Sequence, residues 1–135
     1  MGGVVKKFEE HIHDYLELKD RYVVSVNTGT SALHCAVELC NIQKNDEVIV
    51  PSFNYAADQA AIEMAGAKVV MCDIRNDNLG IDCKKAEELI SDKTKAIMPL
   101  HYAGIPCDQQ GVFNLAKKYR IKLDNNTIEN IKNLI

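Results

Sequence analysis

Apolar positions along this chain alternate between two spacings, one helical and one strand-like. Phe8, Ile12, Tyr15 and Leu16 fall on one face of an opening helix, and the short β-branched run "YVVSVN" after it predicts a strand ending at Asn27. Leu33, Ala36, Val37 and Cys40 follow at i, i+3, i+4 and i+7, the inner face of a second helix. "DEVIVP" predicts a strand ending at Pro51. The next helix turns Ala57, Ala60, Ala61 and Met64 inward and stops at Gly66, which suits a left-handed cap. "AKVVMCD" is the third predicted strand, and "RNDNLGIDC" is turn-rich. Asp82 is placed to cap the helix "CKKAEELI", and "TKAIMP" predicts a fourth strand. Asp108 can cap a last helix with Val112, Leu115, Ala116 and Tyr119 inside, after which "RIKL" begins a fifth strand. The pattern breaks there, because "DNNTIENIKNLI" is polar, Asn-rich and only weakly helical.

Strands separated by helices imply a largely parallel sheet with helices on both faces, a three-layer α/β/α fold. A chain of 135 residues is long enough for one such domain with its own core. Charged residues make up 26% and hydrophobic ones 47%, with 19 acids against 16 bases, so neither disorder nor a nucleic-acid partner is expected. No apolar run approaches the roughly 20 residues that span a bilayer. "MGGVVKKFEE" lacks the apolar core of a secretory signal, so the expected location is cytoplasmic. Cys35, Cys40, Cys72, Cys83 and Cys107 form an odd set without CxxC spacing, which argues against a disulfide framework or a zinc knuckle and makes most of them small buried hydrophobes.

In parallel sheets of this kind ligands sit beyond the carboxyl ends of the strands, so the residues just after each strand carry the candidate chemistry. In "NTGTSALH" a helix begins around Thr30. Gly29 there allows close backbone approach, and Thr30 and Ser31 offer hydroxyls and unpaired amides to a phosphate. An ordinary threonine cap after a glycine turn is the alternative. In "PSFNYAA", Asn54 can cap the next helix and Tyr55, on its first turn, can stack on a planar cofactor or simply pack. In "PLHYAGIPCD", His101 either contacts a ligand or is satisfied within its loop.

Taken together, "VNTGTSALH", "NDEVIVPSFNYAADQAAIEMAGAKVVMCDI", "TKAIMPLHYAGIPCD" and "LAKKYRIKL" resemble, in order and spacing, the DegT/DnrJ/EryC1/StrS family of sugar aminotransferases, from Phe8 to Leu123. The resemblance implies the N-terminal part of the large domain of a fold-type-I transferase that uses pyridoxal 5'-phosphate. It implies transfer of an amino group, usually from glutamate, to a nucleotide-linked keto-sugar in cell-surface polysaccharide or amino-sugar biosynthesis. The complete enzyme would be a homodimer. Position by position, Thr30 and Ser31 match the residues whose amides and hydroxyls hold the cofactor phosphate, beside Gly29, and Tyr55 matches the aromatic that stacks on the pyridine ring.

The resemblance also implies an aspartate on the pyridinium nitrogen, and Asn126 falls in its place, with Asp124 two positions early. No lysine here, Lys95 and Lys122 included, has the context of the family's cofactor-binding lysine, so no catalytic residue is assigned. The expectation is a partial large domain over 1–123, a divergent tail over 124–135, and no turnover by this stretch alone. The alternative is a non-catalytic remnant or binding module that keeps only the phosphate cradle.

Overall fold

A computed structural model of the protein describes residues 2–19 and 21–121. In chain order the elements are α1 (Gly3–Tyr15), α2 (Gly29–Leu39), β1 (Glu47–Pro51), α3 (Ala56–Met64), β2 (Lys68–Cys72), α4 (Cys83–Glu88), β3 (Thr94–Ile97), a short 3-10 turn (Tyr102–Gly104) and α5 (Gln109–Tyr119). The three strands pair in the order β2-β1-β3, and both pairings are parallel. β1 is thus central. Its run Val48, Ile49, Val50 is 0–1% exposed, as expected of a strand covered on both faces.

Alternate side chains of β1 feed two separate cores. Val48 and Val50 pack with Ala96 and Met98 against Val37 of α2 and Ala61 and Ile62 of α3. Ile49, Cys72 and Ile97 pack on the other face against Ala86 of α4 and Val112, Leu115 and Ala116 of α5. Each fully buried branched side chain contributes about 1.5–3 kcal/mol, so this alternation holds the three layers together. The expected α/β/α arrangement with a parallel sheet is present.

The helices are stopped and started largely as their sequences ask. Asp82 Oδ1 accepts from the Lys84 and Lys85 amides at 2.9 and 3.3 Å, and Asp108 Oδ1 accepts from the Gly111 amide at 2.9 Å. Gly66, at φ 78°, takes the left-handed position that ends α3.

Five expectations fail, in whole or in part. "YVVSVN" forms no strand. Over 21–26 the chain pairs with none of the three strands, with Tyr22, Val24 and Val26 exposed and Val23 and Ser25 half-buried. The Ser25 amide instead donates to Glu9 Oε1 at 2.7 Å. The inner face of α3 is Asp58, Ala61 and Ile62, so of the expected set Ala57, Ala60, Ala61 and Met64 only Ala61 is buried. With about 100° per residue, Met64 lies roughly 200° round from Ile62 and is 73% exposed. α1 buries no residue, and Phe8 and Tyr15 lie in the open at 56% and 83% exposure. On α5, Tyr119 is 41% exposed, its hydroxyl donating to Glu87 at 2.9 Å. Of the fifth strand "RIKL", Ile121 is buried against the α4–α5 core without strand pairing, and the rest lies outside the described residues, as do Lys122, Asp124 and Asn126.

Candidate functional site

The parallel strands end on one edge of the sheet, and the helices that run back between them begin there. The loop after β1 and the loop after β3 meet at this edge, where the rings of Phe53 and Tyr102 lie 4.8 Å apart at 40°. α2 leads into β1 through a short connection, so its N-terminus also faces this edge.

At that N-terminus the helix begins at Gly29 and the cap is Thr28, one turn-start earlier than the sequence suggested. Thr28 Oγ1 accepts from the Ser31 amide at 3.0 Å, and the Ser31 hydroxyl donates to Asn27 Oδ1 at 2.8 Å. Ser31 is therefore engaged locally. The amides of Gly29 and Thr30 and the Thr30 hydroxyl have no partner among the described residues. A Cβ added at Gly29 would meet nothing within 4 Å, so the space in front of this turn is open. Two free amides, one hydroxyl and the positive end of an eleven-residue helix make this turn a place for an anion.

Tyr55 is itself the N-cap of α3, with no side-chain cap bond, and is 77% exposed. Its ring thus has a free face. Asn54 does not cap the helix. Its Oδ1 accepts from Gln59 Nε2 at 3.4 Å, and its Nδ2 is buried without a partner. The cap fails because Tyr55, at ψ 139°, is still extended, which moves the helix start one residue beyond the reach of Asn54.

His101 is satisfied within its loop. Its Nδ1 accepts from the Cys107 amide at 3.1 Å, so the ring proton sits on Nε2, and the Gln109 carboxamide 3.1 Å away accepts it once its oxygen is turned to the ring. An imidazole held this way at both nitrogens positions the loop; it is not an idle base.

Sequence reasoning passed over two polar groups. Asp58, on the first turn of α3, is 7% exposed, and no hydrogen bond or ion pair reaches its carboxylate among the described residues. Burial pushes its pKa up from the ordinary carboxylate range. Its signal in the sequence is its place three and four residues before Ala61 and Ile62. His34, on α2, has a buried Nε2 without a partner. A groove of about 620 Å³ between α1 and Lys19, Arg21, Tyr22 and Val23 is lined mainly by charged side chains and includes none of the residues of this edge. Among the described residues, no group of three or more His, Cys, Asp or Glu is placed to hold a metal ion, and no helix is long and apolar enough to cross a membrane.

Comparison with known proteins matches residues 1–127 to the model of the DegT/DnrJ/EryC1/StrS aminotransferase family. A GDP-perosamine synthase of Caulobacter vibrioides is 36% identical over 121 residues, covering 90% of this chain and 32% of that protein. Among solved structures, the putative sugar aminotransferase Spr1654 of Streptococcus pneumoniae in its PMP form is 34% identical with a TM-score of 0.82, covering 89% of this chain and 30% of that one. NtdA of Bacillus subtilis with bound cofactor PMP is 31% identical with a TM-score of 0.85, covering 90% and 28%. The chain thus spans about a third of the length of the relatives it matches. Over those residues the sequence motifs, the parallel sheet and the open turn at Gly29 coincide with the extent of the family match. The chain belongs to the DegT/DnrJ/EryC1/StrS aminotransferase family.

Proposed function

We propose that these residues are the cofactor-holding front of a pyridoxal-phosphate-dependent aminotransferase that moves an amino group from glutamate to a nucleotide-linked keto-sugar for polysaccharide or amino-sugar synthesis. The similar proteins named as GDP-perosamine synthase and sugar aminotransferase support the sugar substrate. The observation that carries the cofactor is the turn at the start of α2, where the Gly29 and Thr30 amides and the Thr30 hydroxyl are unbonded among the described residues and a Cβ at Gly29 would meet nothing within 4 Å. In this reading those groups hold the phosphate, the Ser31 hydroxyl joins them by leaving Asn27, and the exposed ring of Tyr55 lies against the pyridine. When bound, pyridoxal phosphate supplies an electron sink, and the protein supplies orientation and charge.

Turnover is assigned to the complete enzyme, which we infer to be a cytoplasmic homodimer. The 1–123 stretch acts as part of its large domain, the 124–135 tail diverging from it, and no lysine of this chain has the family's catalytic context. The test is a fluorescence titration of the purified chain with pyridoxamine phosphate. Thr30→Val should weaken binding about tenfold, the loss of one hydrogen bond to a charged group, with the far-UV circular dichroism unchanged. Wild-type chain that fails to bind, or binding that is indifferent to both Thr30→Val and Tyr55→Ala, overturns the reading.

A further inference from the structure

Two exposed aromatic rings at the ligand edge of the sheet have no part in the cofactor reading. Phe53, in the loop after β1, is 45% exposed and Tyr102, in the loop after β3, is 37% exposed, although their centroids lie only 4.8 Å apart at 40°. Each ring packs on the other with part of its surface and keeps the rest open. The loop that presents Tyr102 is built to hold one shape. His101 is fixed at both nitrogens by the Cys107 amide and Gln109. The Gly104 amide donates to the His101 carbonyl at 3.2 Å, and the Ile105 amide to the Tyr102 carbonyl at 2.9 Å. Ala103, directly after Tyr102, stands at φ 50°, in the left-handed region that an alanine enters only where its surroundings impose it. Backbone of this kind concentrates at ligand clamps. The Tyr102 ring is thus set against Phe53 before any ligand arrives.

What can lie on the pair follows from its neighbour. Phe53 precedes Tyr55 by two residues, so their Cα atoms are no more than about 7 Å apart. The keto-sugar carbon that receives the amino group must come within bonding distance of the cofactor, which in the reading above lies on Tyr55. The rest of that hexose ring then falls about one ring's width away, where Phe53 and Tyr102 stand, whereas the nucleobase is held off by a pentose and a diphosphate. The chemistry also fits, because an aromatic face is negative and the C–H groups on the apolar face of a hexose are slightly positive. We propose that Phe53 and Tyr102 form a platform for the C–H face of the substrate's hexose ring, a specificity subsite separate from the phosphate turn. Its placement rests on the cofactor reading above.

The experiment measures the affinity of the purified chain for GDP-mannose, a nucleotide-linked hexose, against its affinity for GDP, with pyridoxamine phosphate titrated separately. The wild-type chain should prefer the hexose-bearing ligand about fivefold, the worth of one aromatic contact, and saturation-transfer NMR should reach the hexose protons more strongly than the guanine proton. Tyr102→Leu and Phe53→Leu keep apolar bulk between the loops. Each should bring the preference close to unity with GDP and pyridoxamine phosphate affinities unchanged, which also checks that the variants fold, and Tyr102→Phe should retain the preference. Absence of a preference in wild type, or one that survives both leucine variants, overturns the platform, and normal pyridoxamine phosphate binding beside it leaves the cofactor reading standing. Equal loss of GDP and GDP-mannose affinity in the leucine variants overturns the platform as well, since the rings would then serve the nucleotide. A wild-type chain that prefers GDP-mannose yet fails to bind pyridoxamine phosphate overturns the cofactor reading instead.

Discussion

At the scale of the residue, the cysteines separate by environment. Cys72 and Cys107 are buried, Cys40 and Cys83 half-buried and Cys35 exposed. Burial above all pushes the Cys83 thiol up to about 12 and the Cys72 and Cys107 thiols each up to about 11, with nearby aspartates adding to the effect. Such thiols are protonated and inert at neutral pH. Because their pKa in the folded state lies above the ordinary value of 9.0, their contribution to stability is complete below about pH 9 and is lost as pH rises from there toward 12. The melting temperature should therefore fall across that alkaline window, and replacing Cys83 by Ser should lessen the fall. At neutral pH a maleimide should modify Cys35 first and reach Cys72 and Cys107 only when urea is added, as mass spectrometry of digests would show.

Among the elements, the two helices on the α4–α5 face depend on aspartate caps. α5 brings Val112, Leu115 and Ala116 to the core that also holds Ile49 and Ile97. Its first turn is closed by the bond from the Gly111 amide to Asp108. Asp108→Ala should cost about 1 kcal/mol, read as a lower urea midpoint with an unchanged slope. Gly111 cannot be replaced alongside it, since a Cβ there would stand 2.7 Å from the Cys83 sulfur. α2 is capped by Thr28, a residue set before the glycine turn, so its free amides are those of Gly29 and Thr30 and the anion-binding capacity moves toward the helix start.

On the scale of the whole molecule, apolar surface is left open. The sheet has two outer strands, β2 and β3, and neither they nor the run 21–26 have further ladder bonds among the described residues. Tyr22 at 90% and Val24 at 63% exposure line that run. Unpaired strand-like segments with apolar side chains template association. The isolated chain should self-associate as its concentration rises, and Val24→Lys should reduce that association in sedimentation velocity. A wild-type chain that stays monomeric throughout would show that the segment is not adhesive.

Much of this was legible in the sequence, and the reason is local. The β-branched run Val48–Val50, the caps Asp82 and Asp108 and the left-handed Gly66 each act through neighbours a few residues away, so their pattern alone fixes α/β alternation and the family. What the sequence could not decide depends on which partners meet in space. "YVVSVN" has strand chemistry, but a strand requires a neighbour's backbone alongside it, and among the described residues none of β1, β2 and β3 pairs with it. The phase of α3 was settled by Ile62 fitting between α2 and the sheet, which turned Met64 outward and drew Asp58 inward. His101 became a loop anchor because the Cys107 amide and Gln109 reach its two nitrogens. Asp58, polar by composition and buried by packing, owes its place to tertiary structure alone, because only the packed layers remove it from water without giving it a partner.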